Sequence, residues 1–311
     1  MRILVIKPSS LGDIIHGLLV AESIRQQMIG VQIDWIARDI FAPLVRACDT
    51  VERVLPFYRG AGLGAFGQLI QDIRDEPYDW VLDMQGLARS GVIAYFSKTP
   101  RKRRIGRQDA REGSHLACGK LVKFPPYEEA HAVDILREFL PVLGLGNELK
   151  GQLTFALPEK PMPALPSDYL LFFPGSRRAE KEWPRFIELT DALIARGGPA
   201  VVWGGDVETA GLENWPSERF LNLTGQTALD ALPQLISGAR LTVCNDSGPM
   251  HLAAAMGQPV LGIFGPTLAT RFGPYPLDAP TNAVIEAPEG ILSALTPAAV
   301  LAEIDALLSF A

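Results

Sequence analysis

The stretch KPSSLGDIIHGLL, Lys7 to Leu19, is where the reading of the fold is decided. An apolar, β-branched run from Arg2 to Ile6 precedes it. Ile14, Ile15, Leu18 and Leu19 follow at the i, i+4 spacing of a core-facing helix that runs to about Met28. Strand, short loop and helix in that order open an α/β domain with a parallel sheet. Inside the loop, Ser10 to Asp13 fits the Ser/Thr-x-x-Asp/Glu capping box, common in proteins with no catalytic role. On motif alone, Asp13 is a helix cap.

The same alternation of short apolar runs and helical spacing continues outward. Val31 to Ala37, Val51 to Phe57 and Trp80 to Asp83 read as further strands. LPEKPMPALPS, Leu157 to Ser167, carries four prolines in eleven residues and reads as a linker, since proline removes a backbone donor and breaks helices. The pattern then restarts, with strands at Tyr169 to Phe173, Ala200 to Trp203, Leu241 to Cys244 and Pro259 to Phe264. Helices fall near Arg185 to Arg196, Leu229 to Ser237 and Pro249 to Met256. Two doubly wound domains are the economical reading, residues 1–156 and 169–295 joined by 157–168. A final amphipathic helix within 296–311, with Leu301, Ile304, Leu307 and Leu308 on one face, is offered to the domain junction.

Composition limits the possible partners. A chain of 311 residues with formal net charge −6 and 21% charged residues is an ordinary soluble acidic protein, which argues against general nucleic-acid affinity. Cys48, Cys118 and Cys244 are scattered, without metal-ligand spacing or an even count, so neither a disulfide framework nor a zinc site is expected, and a reducing cytoplasm fits best. The apolar run before Lys7 is too short for a signal-peptide core, and no run approaches a membrane span.

Three stretches can carry phosphate chemistry. PGSRRAEKEWP, Pro174 to Pro184, follows a strand and brings Gly175, Ser176, Arg177, Arg178 and Lys181 together; it reads as a phosphate-facing loop or as a solvated charged loop, and it is not a Walker A motif. CNDSGPMHLAAAMG, Cys244 to Gly257, ends a strand, offers Asp246 and Ser247 as caps, turns at Gly248 and Pro249 and starts a helix with His251 on its first turn. Such a helix start binds a diphosphate or is simply a capped helix with a satisfied histidine. VVWGGDVETA, Val201 to Ala210, ends a strand in two glycines and places Glu208 early in the following helix, where an acidic side chain can accept from ribose hydroxyls or merely favour the helix dipole. In the first half, KTPRKRRIGRQDAR, Lys98 to Arg111, carries seven basic residues in fourteen, a solvated face or a site for an anionic acceptor or membrane surface.

Taken in order, IKPSSLGDIIH, PGSRRAEKEWP and NDSGPMHLAAAMGQPVLGIFGPT resemble the ADP-heptose:lipopolysaccharide heptosyltransferases, glycosyltransferase family 9. The early K-x-S-S-x-G-D-x-x-H pattern, with DWIARDIFAPLV after it, is closest to the heptosyltransferase I branch. The resemblance implies a GT-B fold, with two Rossmann-like domains around a cleft, donor bound mainly by the second and acceptor by the first. It makes Asp13 the counterpart of the catalytic base. It sets Ser176, Lys181, Glu208, Thr227, Asp246, Ser247, Gly248 and His251 on the donor side, with Thr227 where the branch has an adenine-side methionine. Ser10, Arg104 and Arg107 are the acceptor-side candidates. Pro8 replaces a hydroxyl residue, Ser176 a threonine and Arg177 a second threonine of the family pattern.

The expected activity is inverting transfer of heptose from ADP-heptose to the inner core of lipopolysaccharide, by a cytoplasmic protein peripheral to the inner membrane, with no metal and no cofactor. Another GT-B transferase or a nucleotide-sugar epimerase is the nearest rival. A nicotinamide dehydrogenase would need G-x-G-x-x-G after the first strand, which KPSSLGD lacks.

Overall fold

The computed structural model describes residues 1–126, 130–205 and 215–309. The chain divides into two units, Met1–Ala156 and Leu157–Ala311.

In the first unit six parallel strands form one sheet, buried at its centre, as crossover helices on both faces require, and more exposed at its edges. They are β1 (Arg2–Ile6), β2 (Gln32–Arg38), β3 (Arg53–Phe57), β4 (Trp80–Asp83), β5 (Arg104–Arg107) and β6 (Lys120–Val122), in the order β3-β2-β1-β4-β5-β6. Val5 stands beside Trp35 on one side and Leu82 on the other. The helices are α1 (Leu11–Gln27), α2 (Ala42–Ala47), α3 (Gly62–Arg74), α4 (Ala88–Phe96), α5 (Ala132–Arg137) and α6 (Phe139–Val142). Nearly all of α1 is buried, and Gly17 lets Trp35 close on it: a Cβ there would come within 2.9 Å of the indole. Buried Glu22, on the same helix, is satisfied by Arg25 at 2.8 Å, Gln26 at 2.6 Å and Thr50 at 2.7 Å.

The second unit repeats the plan. Its strands are β7 (Tyr169–Phe173), β8 (Ala200–Trp203), β9 (Phe220–Asn222), β10 (Leu241–Asn245), β11 (Val260–Phe264) and β12 (Asn282–Glu286), ordered β12-β11-β10-β7-β8-β9 and all parallel. The helices are α7 (Phe186–Ala195), α8 (Leu232–Gly238), α9 (Gly248–Ala255), α10 (Ala269–Phe272) and α11 (Pro297–Ser309). Trp183, Phe186, Trp203 and Phe220 meet edge to face in the core, the arrangement the ring quadrupoles favour. Helix α11 packs on this core through Val300 and Ile304, and Arg196, just after α7, grips its Asp305 with two bonds of 2.7 and 2.8 Å. From 157 to 168 the backbone is neither helix nor strand.

Strands β5, β6, β9 and β12 escape the sequence reading. They are three to five residues long, and β5 lies inside the basic run that reads as a charged face. Among the described residues no helix is long and apolar enough to cross a membrane.

Candidate active site

Each sheet reverses its strand order beside its first strand, and loops leaving the carboxyl ends of the two strands at that point are where open α/β sheets place their chemistry. In the first unit these strands are β1 and β4, and the sheet sets Ile6 beside Asp83. Lys7 follows β1 directly. Its ammonium is buried and lies 3.2 Å from Asp13 Oδ1, on the first turn of α1. Asp13 Oδ2 accepts from the Ser10 backbone N–H at 3.1 Å and from the Ser10 hydroxyl at 2.6 Å. The capping box is therefore formed, and the carboxylate still leaves 48% of its side-chain surface open. Packing around the carboxyl works to raise its pKa. The Lys7 ammonium and the two Ser10 donors outweigh that, holding Asp13 well below the usual carboxylate range. Burial in turn pushes the Lys7 pKa down, against the pull of Asp13.

Two participants here escape the sequence reading. Lys7 passes there as the residue after a strand, and Asp83 as the end of one. Asp83 is buried, and burial raises its pKa even though it accepts from Gly86 N–H at 2.9 Å, Gln85 N–H at 3.1 Å, Ser90 Oγ at 3.0 Å and Ser114 Oγ at 2.8 Å. The available signal is an aspartate closing an apolar run just before Gly86, which the structure holds at φ +72°. Beside the β1 loop, a pocket of about 170 Å³ is lined by Ser9, Arg38, Phe57, Arg59, Leu87 and Arg89 among others. Three arginines among apolar lining residues suit a ligand bearing carboxylate or phosphate on a compact framework. Arg89 stacks over the Phe57 ring at 5.1 Å.

The acceptor-side candidates meet other partners in the structure. Arg104 is buried, and its guanidinium donates to the Ala94 and Tyr95 carbonyls at 3.3 and 3.1 Å, satisfying the end of α4 rather than facing a ligand. Ser10 donates its hydroxyl to Asp13, so it helps to position that carboxylate. Arg107 stands at the carboxyl end of β5 and pairs with Asp109 at 2.7 Å. Further along the basic run, Arg103 lies over Trp80, which opens β4, so that part of the run is at the opposite end of the sheet from Asp13.

In the second unit the reversal falls between β7 and β10. Asn245 ties the two loops together: its amide donates to Pro174 O at 2.7 Å and its oxygen accepts from Trp183 N–H at 3.0 Å. Asp246 accepts from Lys181 Nζ at 2.5 Å and from the Thr267 hydroxyl at 2.7 Å, which gathers the loops after β7, β10 and β11 around one carboxylate. Ser247 stands at the cap of α9 in an extended conformation, yet its buried hydroxyl has no partner among the described residues. Gly248 and Pro249 begin the helix, whose first-turn N–H groups have no partners within it, and His251 is buried on that turn. A helix start with a lysine beside it and an idle hydroxyl is suited to a phosphate group.

Ser176 sits on the β7 loop, where its N–H donates to Glu182 at 2.8 Å. Gly204 packs so tightly on Phe173 that a Cβ would come within 2.7 Å of its ring. Thr227 lies beside this turn, donating to Leu223 O at 2.8 Å and accepting from Gly205 N–H at 3.4 Å. Its hydroxyl is thus a brace for the turn, and its methyl is what remains for a ligand. Glu208 lies outside the described residues.

Comparison with known proteins agrees with this geometry. The profile of glycosyltransferase family 9 (heptosyltransferase) matches residues 66–289. Lipopolysaccharide heptosyltransferase 1 of Pseudomonas aeruginosa is 31% identical over 307 residues, covering 88% of this chain and 81% of that protein. The protein of the same name from Escherichia coli K12 is 29% identical, covering 99% of this chain and all of its own. The solved structure of the E. coli heptosyltransferase WaaC with ADP superposes with a TM-score of 0.80 at 25% identity, over 99% of this chain and 100% of that one. The fold class is the α/β GT-B type, and the chain belongs to glycosyltransferase family 9, the heptosyltransferases.

Proposed function

We propose that this glycosyltransferase moves heptose from ADP-heptose to the inner core of lipopolysaccharide with inversion, adding the first heptose to an acidic sugar acceptor. One observation carries the reading: a carboxylate on the first loop, Asp13, that is held ionised yet half open. Asp13 accepts the proton of the acceptor hydroxyl as that oxygen bonds to the anomeric carbon. A carboxylate held so acidic is a weak base. It suffices late in an oxocarbenium-like displacement, when the attacking oxygen has lost electron density and its proton has become acidic.

The departing ADP takes up charge at its terminal phosphate. Lys181, the first-turn N–H groups of α9 and the Ser247 hydroxyl meet that charge without a metal, and Ser247 gains the partner it lacks in the free protein. His251 adds a donor on the same turn, and Glu208 accepts from the ribose. Arg38, Arg59 and Arg89 receive the acidic groups of the acceptor, with Arg107 beside them. The protein works in the cytoplasm at the inner membrane, a setting consistent with an acceptor that is lipid-linked.

The test is release of ADP, followed chromatographically, with ADP-heptose or a series of UDP-sugars and with or without a truncated inner-core acceptor. ADP release that needs both ADP-heptose and the acceptor supports the reading; turnover of a UDP-sugar in its place refutes it. Asp13→Asn, which keeps the capping geometry, should lower kcat by about 100- to 10,000-fold, well beyond what the Tm loss from an unpaired Lys7 ammonium accounts for. Near-normal kcat would leave Asp13 as a cap alone.

A further inference from the structure

At the carboxyl end of the first sheet, β2 and β3 stand side by side, and each is followed by an exposed apolar residue: Ile40 is 48% and Tyr58 53% exposed. The chain then passes Gly60 and Gly62, both at positive φ, and enters α3. Phe66, Ile70 and Ile73 of that helix form a stripe against the core, and Leu63 continues the stripe one turn beyond it, where it is 90% exposed. A Cβ built at Gly60, Gly62, Gly64 or Gly67 would meet nothing within 4 Å, so the loop and first turn stand clear of the body of the unit. Arg59 lies between Tyr58 and Leu63 and, with Arg38 and Arg89, lines the pocket beside Asp13's loop. Asp39 is the acidic residue among them.

We infer that Ile40, Tyr58 and Leu63 form a lip that enters the headgroup region of an anionic bilayer, with Arg59 and Arg89 meeting its negative charge. Apolar tips flanked by guanidinium groups match such a surface on both counts, and they give a chain of net charge −6 one face that the bilayer attracts. The lip borders the arginine-lined pocket, so a lipid-linked acceptor can present its sugar there while its acyl chains stay in the membrane. This rests on the acceptor reading above and extends it from a pocket to a surface.

The test is sedimentation of the full chain with vesicles of phosphatidylcholine, alone or with phosphatidylglycerol, for the native protein and for Tyr58→Ser/Leu63→Ser. The native chain should bind the anionic vesicles at least about five-fold better than the neutral ones, less so at high salt. The double variant should bind about ten-fold more weakly, with unchanged Tm and unchanged turnover of a deacylated, water-soluble acceptor. Equal binding by native and variant chains overturns the lip while leaving membrane association intact, and no binding by the native chain overturns it as well. Loss of turnover on the soluble acceptor would make the lip part of the sugar pocket and likewise overturn it. Lip-dependent binding in a chain that transfers no heptose would keep the surface and remove the proposed reaction.

Discussion

Lys7→Met removes the buried ammonium beside Asp13 and keeps the length and volume of the side chain. At 3.2 Å the attraction between the two charges is about 5 kcal/mol for an effective dielectric constant of 20 and about 1.3 kcal/mol in water. Asp13 is half exposed, so screening pulls the value towards the lower limit, roughly 1.5 to 3 kcal/mol, or about one to two pKa units. Without the ion pair, the influences left on the carboxyl oppose each other: packing raises its pKa and the Ser10 bonds lower it. It rises from its depressed native position towards the ordinary aspartate range.

The sign follows from the form required. On the proposed reaction transfer needs the carboxylate; Lys7 stabilises the carboxylate, so its removal should move the acid limb of kcat/KM upward. As the pH is lowered, the variant should fall away from its own plateau before the native enzyme leaves its own. The assay is initial-rate ADP release from pH 3.5 to 8, expressed as the ratio of variant to native so that titration of the substrates cancels. A ratio independent of pH would refute the claim that Lys7 keeps Asp13 ionised. Stability gives a second check: the native pair contributes above about pH 4 and loses that contribution as pH falls, so the Tm gap between the two chains should narrow on acidification.

Lys181→Ala should weaken ADP binding by about ten-fold or more in calorimetry, because it removes the cation beside the α9 start and strips Asp246 of its charge partner. Ser247→Ala should leave the Tm of the free protein unchanged or slightly higher, since the hydroxyl is buried and idle, and should reduce the Tm gain on adding ADP. Arg104→Met should cost about 1 to 3 kcal/mol in chemical denaturation by abandoning the α4 carbonyls, with kcat retained in the folded fraction; a selective rise in acceptor KM would restore Arg104 to the acceptor side.

Much of the scaffold is written in local pattern. Strands β1, β4, β7 and β8 begin and end at the residues their apolar runs predict, because strands buried on both faces must be continuously apolar. Short edge strands such as β6 and β9 carry too few residues for a pattern to form. The site divides the same way. Asp13, Lys181, Asp246 and Ser247 sit in motifs with their neighbours in sequence. Asp83 acquires its meaning only when β1 and β4, far apart in the chain, become adjacent, and Lys7 only when the turn into α1 brings its ammonium back to Asp13. Arg104 shows the reverse: within a basic run it is indistinguishable from Arg103, and only the arrival of α4 over β5 turns it inward.

The repeated strand order has a consequence for inheritance. Each unit assembles its own sheet edge on its own hydrophobic core, so on the proposed assignment the acceptor chemistry and the nucleotide chemistry are encoded on separable lengths of gene, meeting near Ala156 and Leu157. Drift in the arginine pocket can retune the receiving sugar without disturbing the Lys181–Asp246–Thr267 cluster, and recombination at that boundary is a ready route to transferases that pair one leaving group with many recipients.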